Sequence, residues 1–580
     1  MKEFDLVIVG AGAAGMRAAI GAVRHDLRVA VISKVHPLRS SSSMGDEGLN
    51  AVPGGERGGK SRPDTFSASM KVQYRDSWEC GYRFADTDAL QVMIQRAPAA
   101  IRELERWGCP LSLNRENTYS LRKTAAMRMP LNLHAADKTG RAVLSTLYEQ
   151  CLRLRQNKPE NLRFFDEWFV LKLLVSNNTA AGVIAMQIES GKLEVFRAKS
   201  IIWASGGSGR IYGGSSNALI SSGWGLAMPA LAGVTLKDME FMQFNPAQLY
   251  GSHIQITEAV RGQGALMLNR KGERFLASYN DSAKYMELSR QDVISRNILR
   301  EILAGRGVEA SGVHLDMRTL GRRRLKGEFS RTRDLCRRHA GSDPVSQLIP
   351  IRPGQSFSIG GIHTAANAAS DLHGLFAAGE CANPGVHGAN LCEGDQLTAA
   401  LVFAGIAADS AAAYIARRYN PRKINESLFA NALEEEESRL RALLSSGGGV
   451  RPGVLRDKMQ EIMDRQAGVF RDGMGLVEAA KEMKELKKVL RGDLRIDGSK
   501  RAANFGFLDA IELRGSLEIA DIVLQAALKR NESVGVHFRN DFPAFKGKPR
   551  HSLTVLKKNK IRIRYTAVKS KHPLPDETGD

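Results

Sequence analysis

The chain is predicted to be an α/β protein: a parallel-sheet domain interrupted by an inserted α+β block, then a helical domain and a basic β tail. Three observations predict this. Short apolar runs end in glycines at residues 6–9, 200–209 and 374–379. A block rich in charge and turns, about 241–350, separates the second run from the third. From about residue 423, long amphipathic patterns with i, i+3, i+4 apolar spacing take over.

The N-terminal unit carries the most specific signal. Residues 6–9 read as a buried strand, residues 16–24 as a helix and residues 28–32 as a second strand. Gly10, Gly12 and Gly15 stand between the first strand and the helix as G-x-G-x-x-G, with Ala13 and Ala14 inside the motif. The first glycine permits a tight turn, the second a close approach to a pyrophosphate, and the third the packing of helix on strand. Phosphates sit well at such a helix start, where free N–H groups and the helix dipole favour negative charge. A Rossmann-like dinucleotide site is therefore expected at the N-terminus.

Small residues fill 39–59, which reads as a loop. Helical patterns follow at 86–107 and 141–153, and strand-like runs at 162–165, 169–175 and 181–189. Residues 200–209 form a strand running into a glycine-rich turn suited to offering backbone N–H groups to a bound dinucleotide. An apolar helix is expected at 395–418. Further on, 458–491 and 508–530 read as helices, 445–453 as a linker and 552–568 as a two-stranded ribbon before a polar end. The domain boundaries expected are 1–240 and 351–422 for the nucleotide-binding domain, 241–350 for the insertion, 423–545 for the helical domain and 546–580 for the tail.

Composition narrows the function classes. The 580 residues carry a net charge of +21, but the basic residues are dispersed, apart from 322–326 and the tail at 546–564. No recognition helix, zinc finger or RNA-binding aromatic motif accompanies them, so nucleic acid is not expected as a partner. An acidic protein partner or an anionic membrane surface remains, beside a merely solvated basic face. The six cysteines include no C-x-x-C pair, so no metal or iron–sulfur site is expected on this chain, and a reducing compartment fits. No apolar run reaches the ~18–20 residues of a bilayer span, and Met1-Lys2-Glu3 runs directly into the first strand without a signal-peptide pattern.

A set of ordered motifs then resembles one family nearly end to end. They are VISKVHPLRS (31–40), AADKTG (135–140), KDMEFMQFNP (237–246), ITEAVRGQG (256–264), NRKGERF (269–275) and DVISR (292–296), followed by IGGIHT (359–364), GLFAAGECANPGVHGAN (374–390) and ESVGVHFRNDFP (532–543). The chain resembles the flavoprotein subunits of the succinate dehydrogenase/fumarate reductase family, relatives of L-aspartate oxidase. The resemblance implies FAD, a capping domain for the insertion, and a partner iron–sulfur subunit that holds the clusters. It implies a location in the cytoplasm, peripheral to the inner face of the membrane through partner subunits. It also places the cofactor: pyrophosphate on Gly10–Gly15, adenosine near Ser33 and Lys34, and flavin framed by the loop 45–51 with Gly45 and Gly48. Backbone of Val170, Ala204 and Gly206 would contribute, Glu380 would contact the ribitol, and Gln396 and Leu397 would aim N–H groups at the flavin carbonyl edge.

The departures from the family are as informative. The histidine that bonds FAD covalently within R-S-H-T is Ser41 here, so FAD is expected to be non-covalent. In the dicarboxylate site, the histidine of F-H-P-T-G is Asn245 and that of H-Y-x-M-G-G is Ser356. The arginine of H-G-A-N-R is Leu391, and the proton-donating arginine aligns with Gln291, with Arg290 one residue away. Thr257, Glu258 and Arg261 match the family's substrate contacts and proton path, an ordinary surface ion pair being the alternative for the last two. Trp224 replaces an aspartate near the cofactor cleft, and Asp46-Glu47 replaces a Gln-Gly pair. His387 reads as a structural hydrogen-bonding residue, with catalysis as the alternative; His134, His253 and His363 read as ordinary surface or satisfied histidines. Cys381 and Cys392 read as two buried thiols, or as a flavin–dithiol couple if close in space.

Each lost hydrogen bond to a charged group is worth roughly 1.5–3 kcal/mol, so losing an arginine and two histidines weakens a dianion by ~4 kcal/mol or more. The expectation is an FAD-dependent oxidoreductase exchanging a hydride with a small organic substrate other than succinate or fumarate. Arg290 or Arg261 would supply the proton. The alternatives are a genuine succinate/fumarate enzyme and an electron-relay or scaffolding flavoprotein with a decayed substrate site.

Overall fold

The computed structural model describes residues 1–54, 63–124, 127–308, 312–545, 547–558 and 560–569. The end of the small-residue loop, 55–59, and the polar end, 570–580, lie outside the described residues.

The first strand spans Lys2–Val9 and runs parallel to Val29–Ser33 on one side and Leu193–Trp203 on the other. Leu162–Asp166 extends the parallel ladder beyond Val29–Ser33, and Leu375–Ala377 pairs with the end of Leu193–Trp203. The antiparallel strands Trp168–Ser176 and Thr179–Gln187 complete a seven-stranded sheet. Its central strands are apolar where they are fully buried, at 6–9, 29–32 and 201–203, as expected of strands covered on both faces. On one face the helices Ala13–Val23 and Asp395–Arg417 pack together through small residues; a Cβ on Gly21 would lie 2.8 Å from Ala408 Cβ. Asp395–Arg417 is long and apolar enough to cross a bilayer by length and mean composition, although Asp409 interrupts its apolar run. Half of its apolar window is buried in the protein, as in the core helix of a globular domain.

The insertion has its own sheet, antiparallel in the order Met242–Leu249, Ile349–Ser358, Val313–Asp316, Leu266–Leu268, with the helix Gln291–Leu303 against it. Its core gathers Val260, Met267, Ile294, Ile298, Leu315 and Phe329. The expected boundary at 350/351 falls inside the strand Ile349–Ser358. That strand runs on through Pro353-Gly354, its ladder shifted between Asn245 and Gln248. The sequence reading missed the helix Pro63–Cys80.

The expected helix 458–491 is two helices, Pro452–Gln466 and Gly473–Gly492. The break is set by Asp472, whose side chain accepts a hydrogen bond from Gly475 N and caps the second helix. The expected linker 445–453 is tied down rather than free: Gly448 N donates to Leu494 O and Arg495 N to Val450 O.

The tail forms the hairpin Arg550–Lys557 and Lys560–Ala567, whose first strand pairs with Leu236–Lys237. It completes a five-stranded sheet with Gly361–His363 and Ala382–Asn383. On the edge strand Lys560, Arg562 and Arg564 face solvent while Ile561 and Ile563 pack inward. An edge lined with cations is poor at pairing with a second sheet.

Candidate active site

One cavity of about 530 Å³ opens between the main sheet, the inserted domain and the start of Asp395–Arg417. The strand Lys2–Val9 ends on Gly10, at φ +105°, and the chain turns directly into Ala13–Val23 with Gly12 as its N-cap. Gly12, Ala13 and Ala14 line the cavity; Gly15 lies behind the turn, packed on the Gly10 carbonyl. No acidic side chain occupies the first turn of that helix, so its free N–H groups and dipole are available to a diphosphate.

The second strand delivers Ser33 and Lys34, and the Lys34 ammonium pairs with Glu512 of the helical domain at 2.7 Å. Past Leu193–Trp203, Ala204 and Gly206 reach the wall, with Gly206 at φ +78° and open space where a Cβ would be. Val170 contributes too, its carbonyl accepting from Trp224 Nε1 at 2.8 Å. Trp224 is buried, packed on Phe169 and on Gly515 of the helical domain. Gln396 and Leu397 stand in the first turn of the 23-residue helix Asp395–Arg417, behind Gly394. Gly45 lines the cavity, while Gly48, at φ +85°, sits against Asn132. Ser40 Oγ and Arg210 Nε face this space buried and without a protein partner. A diphosphate and a flavin ring supply the acceptors these donors lack, so the residues present fit FAD. Ser41 Oγ lies 3.0 Å from Ser221 Oγ on the same wall. A serine offers no ring nitrogen for a flavin bond. Acid precipitation is therefore expected to release the flavin into the supernatant; yellow colour retained on the pellet would contradict this.

Asn245, Gln291, Ser356 and Leu391 all line the far part of the cavity, with Phe357 and Glu393. The Asn245 side chain accepts from Ala247 N at 2.8 Å, and Leu391 N donates to Gln243 Oε1 at 3.0 Å. Gln291 Nε2 donates both to Glu258 Oε2 at 2.8 Å and to Glu393 Oε2 at 2.9 Å. Thr257, Glu258 and Arg261 form the layer behind. Glu258 and Arg261 are 2% exposed each and 3.0 Å apart, so they make a buried pair and not a surface one. Arg261 also donates to Glu287 O at 2.7 Å.

The geometry corrects Arg290 as a proton donor and His134 as a satisfied histidine, and it keeps Cys381 and Cys392 as two buried thiols rather than the alternative couple. Arg290 does not line the cavity: its guanidinium lies over the Tyr82 ring at 4.0 Å and donates to Glu79 O. It is the residue before the helix Gln291–Leu303, so the helix start turns Gln291 inward and Arg290 away. The two thiols Cys381 and Cys392 do not form a couple. Cys381 donates to Trp203 O and Ala378 O, whereas Cys392 contacts Cys80 beside Met127. His387 does not line the cavity either; it packs edge-on against Phe357, and burial pushes it down to about 4, so it is neutral. His134 is not a satisfied histidine, since neither ring nitrogen has a hydrogen-bond partner and burial, with Arg122 nearby, holds it at about 3. Burial also pushes His363 down to about 4, while His253 reaches the cavity wall.

The sequence reading did not single out Glu393. Its signal was present: a carboxylate two residues past Leu391, in the same rewritten segment. Burial first, and then the neighbouring Glu258, raise the Glu393 carboxyl well above the usual carboxylate range. Burial likewise raises Glu47, which accepts from Gln255 at 2.7 Å, and pushes Glu380 up to about 7. Asp46 is raised by burial and by Glu47, against Arg331. Four carboxyls, Glu47, Glu380, Glu393 and Glu512, thus line the cavity, together with Lys34, Arg39, Arg210 and Arg331, while Asn245, Ser356, Leu391 and Gln291 stand at the matched positions of the resembled family's dicarboxylate histidines and arginines.

Comparison with known proteins agrees with the cofactor half of this site. A family model described as an FAD binding domain matches residues 5–397, and one described as fumarate reductase flavoprotein C-term matches 456–578. The fumarate reductase flavoprotein subunit of Mycobacterium tuberculosis is 34% identical over 555 residues, covering 93% of this chain and 92% of the relative. The succinate dehydrogenase flavoprotein subunit of Rickettsia bellii is 34% identical over 564 residues, 93% of this chain and 90% of that one. A solved Escherichia coli quinol fumarate reductase chain superposes with a TM-score of 0.92 at 31% identity, over 99% of this chain and 98% of that chain. The fold, the glycine turn and these matches together make this chain an FAD-dependent flavoprotein of the succinate dehydrogenase/fumarate reductase family.

Proposed function

We propose that this chain is the catalytic flavoprotein subunit of a succinate dehydrogenase/fumarate reductase-like complex. It would move a hydride between FAD and a small organic substrate held under the inserted domain. FAD, held by the glycine turn, Ser33, Lys34, Glu380 and the start of Asp395–Arg417, would supply the hydride chemistry. Electrons would be exchanged with a separate iron–sulfur subunit, in keeping with relatives solved as quinol–fumarate reductase and Sdh1 complexes. Such partners would hold the chain peripherally at the inner face of a membrane.

For the substrate, two readings are supported by different observations. Similarity along the whole chain to fumarate reductase and succinate dehydrogenase subunits favours the succinate–fumarate pair. The cavity lining favours a substrate with less negative charge: Asn245, Gln291, Ser356 and Leu391 are uncharged, and Glu393 adds a carboxyl beside them. Burying a carboxylate without a cationic partner is strongly unfavourable. With Asn245, Ser356 and Leu391 in place of two histidines and an arginine, affinity for a dianion falls by several hundredfold.

The experiment reduces the FAD-loaded protein anaerobically and follows flavin reoxidation by fumarate and by its uncharged diester, dimethyl fumarate. The lining predicts that the diester is the better oxidant by about a hundredfold or more in its second-order rate. Faster reoxidation by fumarate supports the succinate–fumarate reading and removes the other. Reoxidation by neither, but only by a partner protein, supports the electron relay.

A further inference from the structure

The cavity ends on a pair of acids. Glu393 is 3% exposed and lines the cavity. Its Oε1 accepts from the backbone N of Glu258 at 3.2 Å, and its Oε2 from Gln291 Nε2 at 2.9 Å. The same Gln291 amide nitrogen holds Glu258 Oε2 at 2.8 Å, so one donor bridges the two buried carboxyls. Two buried carboxyls converging on one amide nitrogen, at 2.8 and 2.9 Å, are too close for both to be ionised, so the pair shares a proton. Arg261, 3.0 Å from Glu258, fixes where that proton resides. The guanidinium favours the ionised form of Glu258, which leaves the proton on Glu393. Gln291 cannot donate a proton, and Arg290 is turned away onto Tyr82. Among the described residues of the far cavity wall, Glu393 is the acid positioned to protonate a bound molecule.

We propose that Glu393 is the general acid of the substrate half-reaction, with Glu258, Gln291 and Arg261 as its positioning residues, acting on an alkene conjugated to an uncharged carbonyl group. This rests on the reading of the cavity as a substrate site, and it deepens that reading. In the reductive direction the hydride, with two electrons from reduced FAD, adds to the carbon β to the carbonyl. The Glu393 Oε–H bond breaks, and its proton adds to the α carbon. The C=C π bond is consumed, two C–H bonds form, and Glu393 is left as a carboxylate beside Glu258. The resulting like-charge repulsion draws a proton back from solvent. The reverse direction runs the same balance, with Glu393 taking the α proton.

The test has two arms on the FAD-loaded full chain. In the first, infrared difference spectra across a pH titration are compared for wild type, Glu393→Gln and Glu258→Gln. A protonated-carboxyl band that persists above the ordinary carboxylate range in wild type and disappears in Glu393→Gln is expected. A band absent from wild type, or abolished only in Glu258→Gln, overturns the proposal. In the second, reoxidation of reduced protein by dimethyl fumarate is expected to slow about a hundredfold or more in Glu393→Gln, the scale of a missing general acid. Glu393→Asp is expected to recover part of the rate. The wild-type rate falls as pH rises through the titration of the pair, and the Glu393→Gln rate is flat over that range. An unchanged Glu393→Gln rate, or a wild type that no alkene reoxidises, overturns the proposal. The two readings fail separately: fast fumarate reoxidation that still depends on Glu393 removes the neutral substrate and keeps the acid.

Discussion

Gly15→Ala is expected to purify without flavin. A Cβ built on Gly15 lies 1.9 Å from the Gly10 carbonyl oxygen and 2.9 Å from its carbon, both backbone atoms. Gly10 has no room to yield. It stands at φ +105°, and its own Cβ would come within 2.2 Å of Ala204 O. The helix Ala13–Val23 must therefore move off the turn and carry its N-terminal amides with it. Overpacking of this kind costs about 1–3 kcal/mol. Each charge-assisted hydrogen bond from an amide to the diphosphate that then breaks costs roughly 1.5–3 kcal/mol more. The sum, ~4 kcal/mol or more, is about a thousandfold in flavin affinity. The measurement is flavin absorbance per protein after gel filtration, followed by titration of the apoprotein with FAD. Gly12→Ala is the control: its Cβ would meet Ser42 Oγ at 3.3 Å, a hydroxyl that can rotate, and Ser40 only at an ordinary 3.8 Å. Any loss of flavin in Gly12→Ala therefore reports the ligand's closeness to the backbone rather than strain in the protein. Stoichiometric flavin in Gly15→Ala would show that the turn does not hold the helix as described.

The second large effect lies away from the cavity. Arg530→Met is expected to lose about 3–5 kcal/mol of stability, the scale for removing one partner of a buried ion pair. Arg530 is 1% exposed; its Nε lies 2.5 Å from Glu240 and its Nη1 2.7 Å from Glu532. Its Nη2 donates to Arg550 O at the start of the tail hairpin. Glu240 is fully buried, and its other oxygen accepts from Ser552 Oγ at 2.7 Å. Methionine fills the volume but leaves the Glu240 charge without its cation. Nearby, His551 lies between Asp86 at 3.2 Å and Asp238 at 2.6 Å, and Lys237 pairs with Asp86 at 3.0 Å. The damage should therefore spread along this seam. Urea unfolding and hydrogen exchange of the strand Arg550–Lys557 would read it, and wild-type protection of that strand in Arg530→Met would refute it. The double variant Arg530→Met/Glu240→Gln should recover part of the loss, because the stranded charge is gone.

The sequence showed the glycine turn and the apolar strands well because their signals are local. A strand, three glycines and a helix within about 30 residues need no distant partner to be recognised. Helix ends shifted by a few residues, and 458–491 was read as one element because Asp472 speaks only through its cap. Beyond that turn the cofactor wall was placed by resemblance and not by a local pattern; Ser33, Lys34, Val170, Ala204, Gly206, Glu380, Gln396 and Leu397 line the cavity, whereas Gly15 and Gly48 do not. The acid pair was not legible. Glu258 was named through the resemblance, but Glu393, 135 residues away, joins it only through the placement of Gln291, whose amide nitrogen holds both carboxyls. Arg290 failed in the opposite way. One residue of helical register, invisible in the letters, decides whether a guanidinium faces the cavity or Tyr82.

The hairpin at the end of the chain also constrains when the molecule can be finished. Leu236 pairs with Thr554, and Asp238 waits for His551 across 313 residues. During synthesis the strand Leu236–Lys237 therefore emerges long before its neighbour exists, with Asp86, Asp238 and Glu240 still lacking His551, Ser552 and Arg530. Pairings this distant in sequence close late and slowly. Until then the growing chain exposes an unfilled sheet edge to aggregation. A chain lacking the hairpin would leave the Leu236–Lys237 edge unpaired and the buried Asp238 and Glu240 without His551 and Ser552.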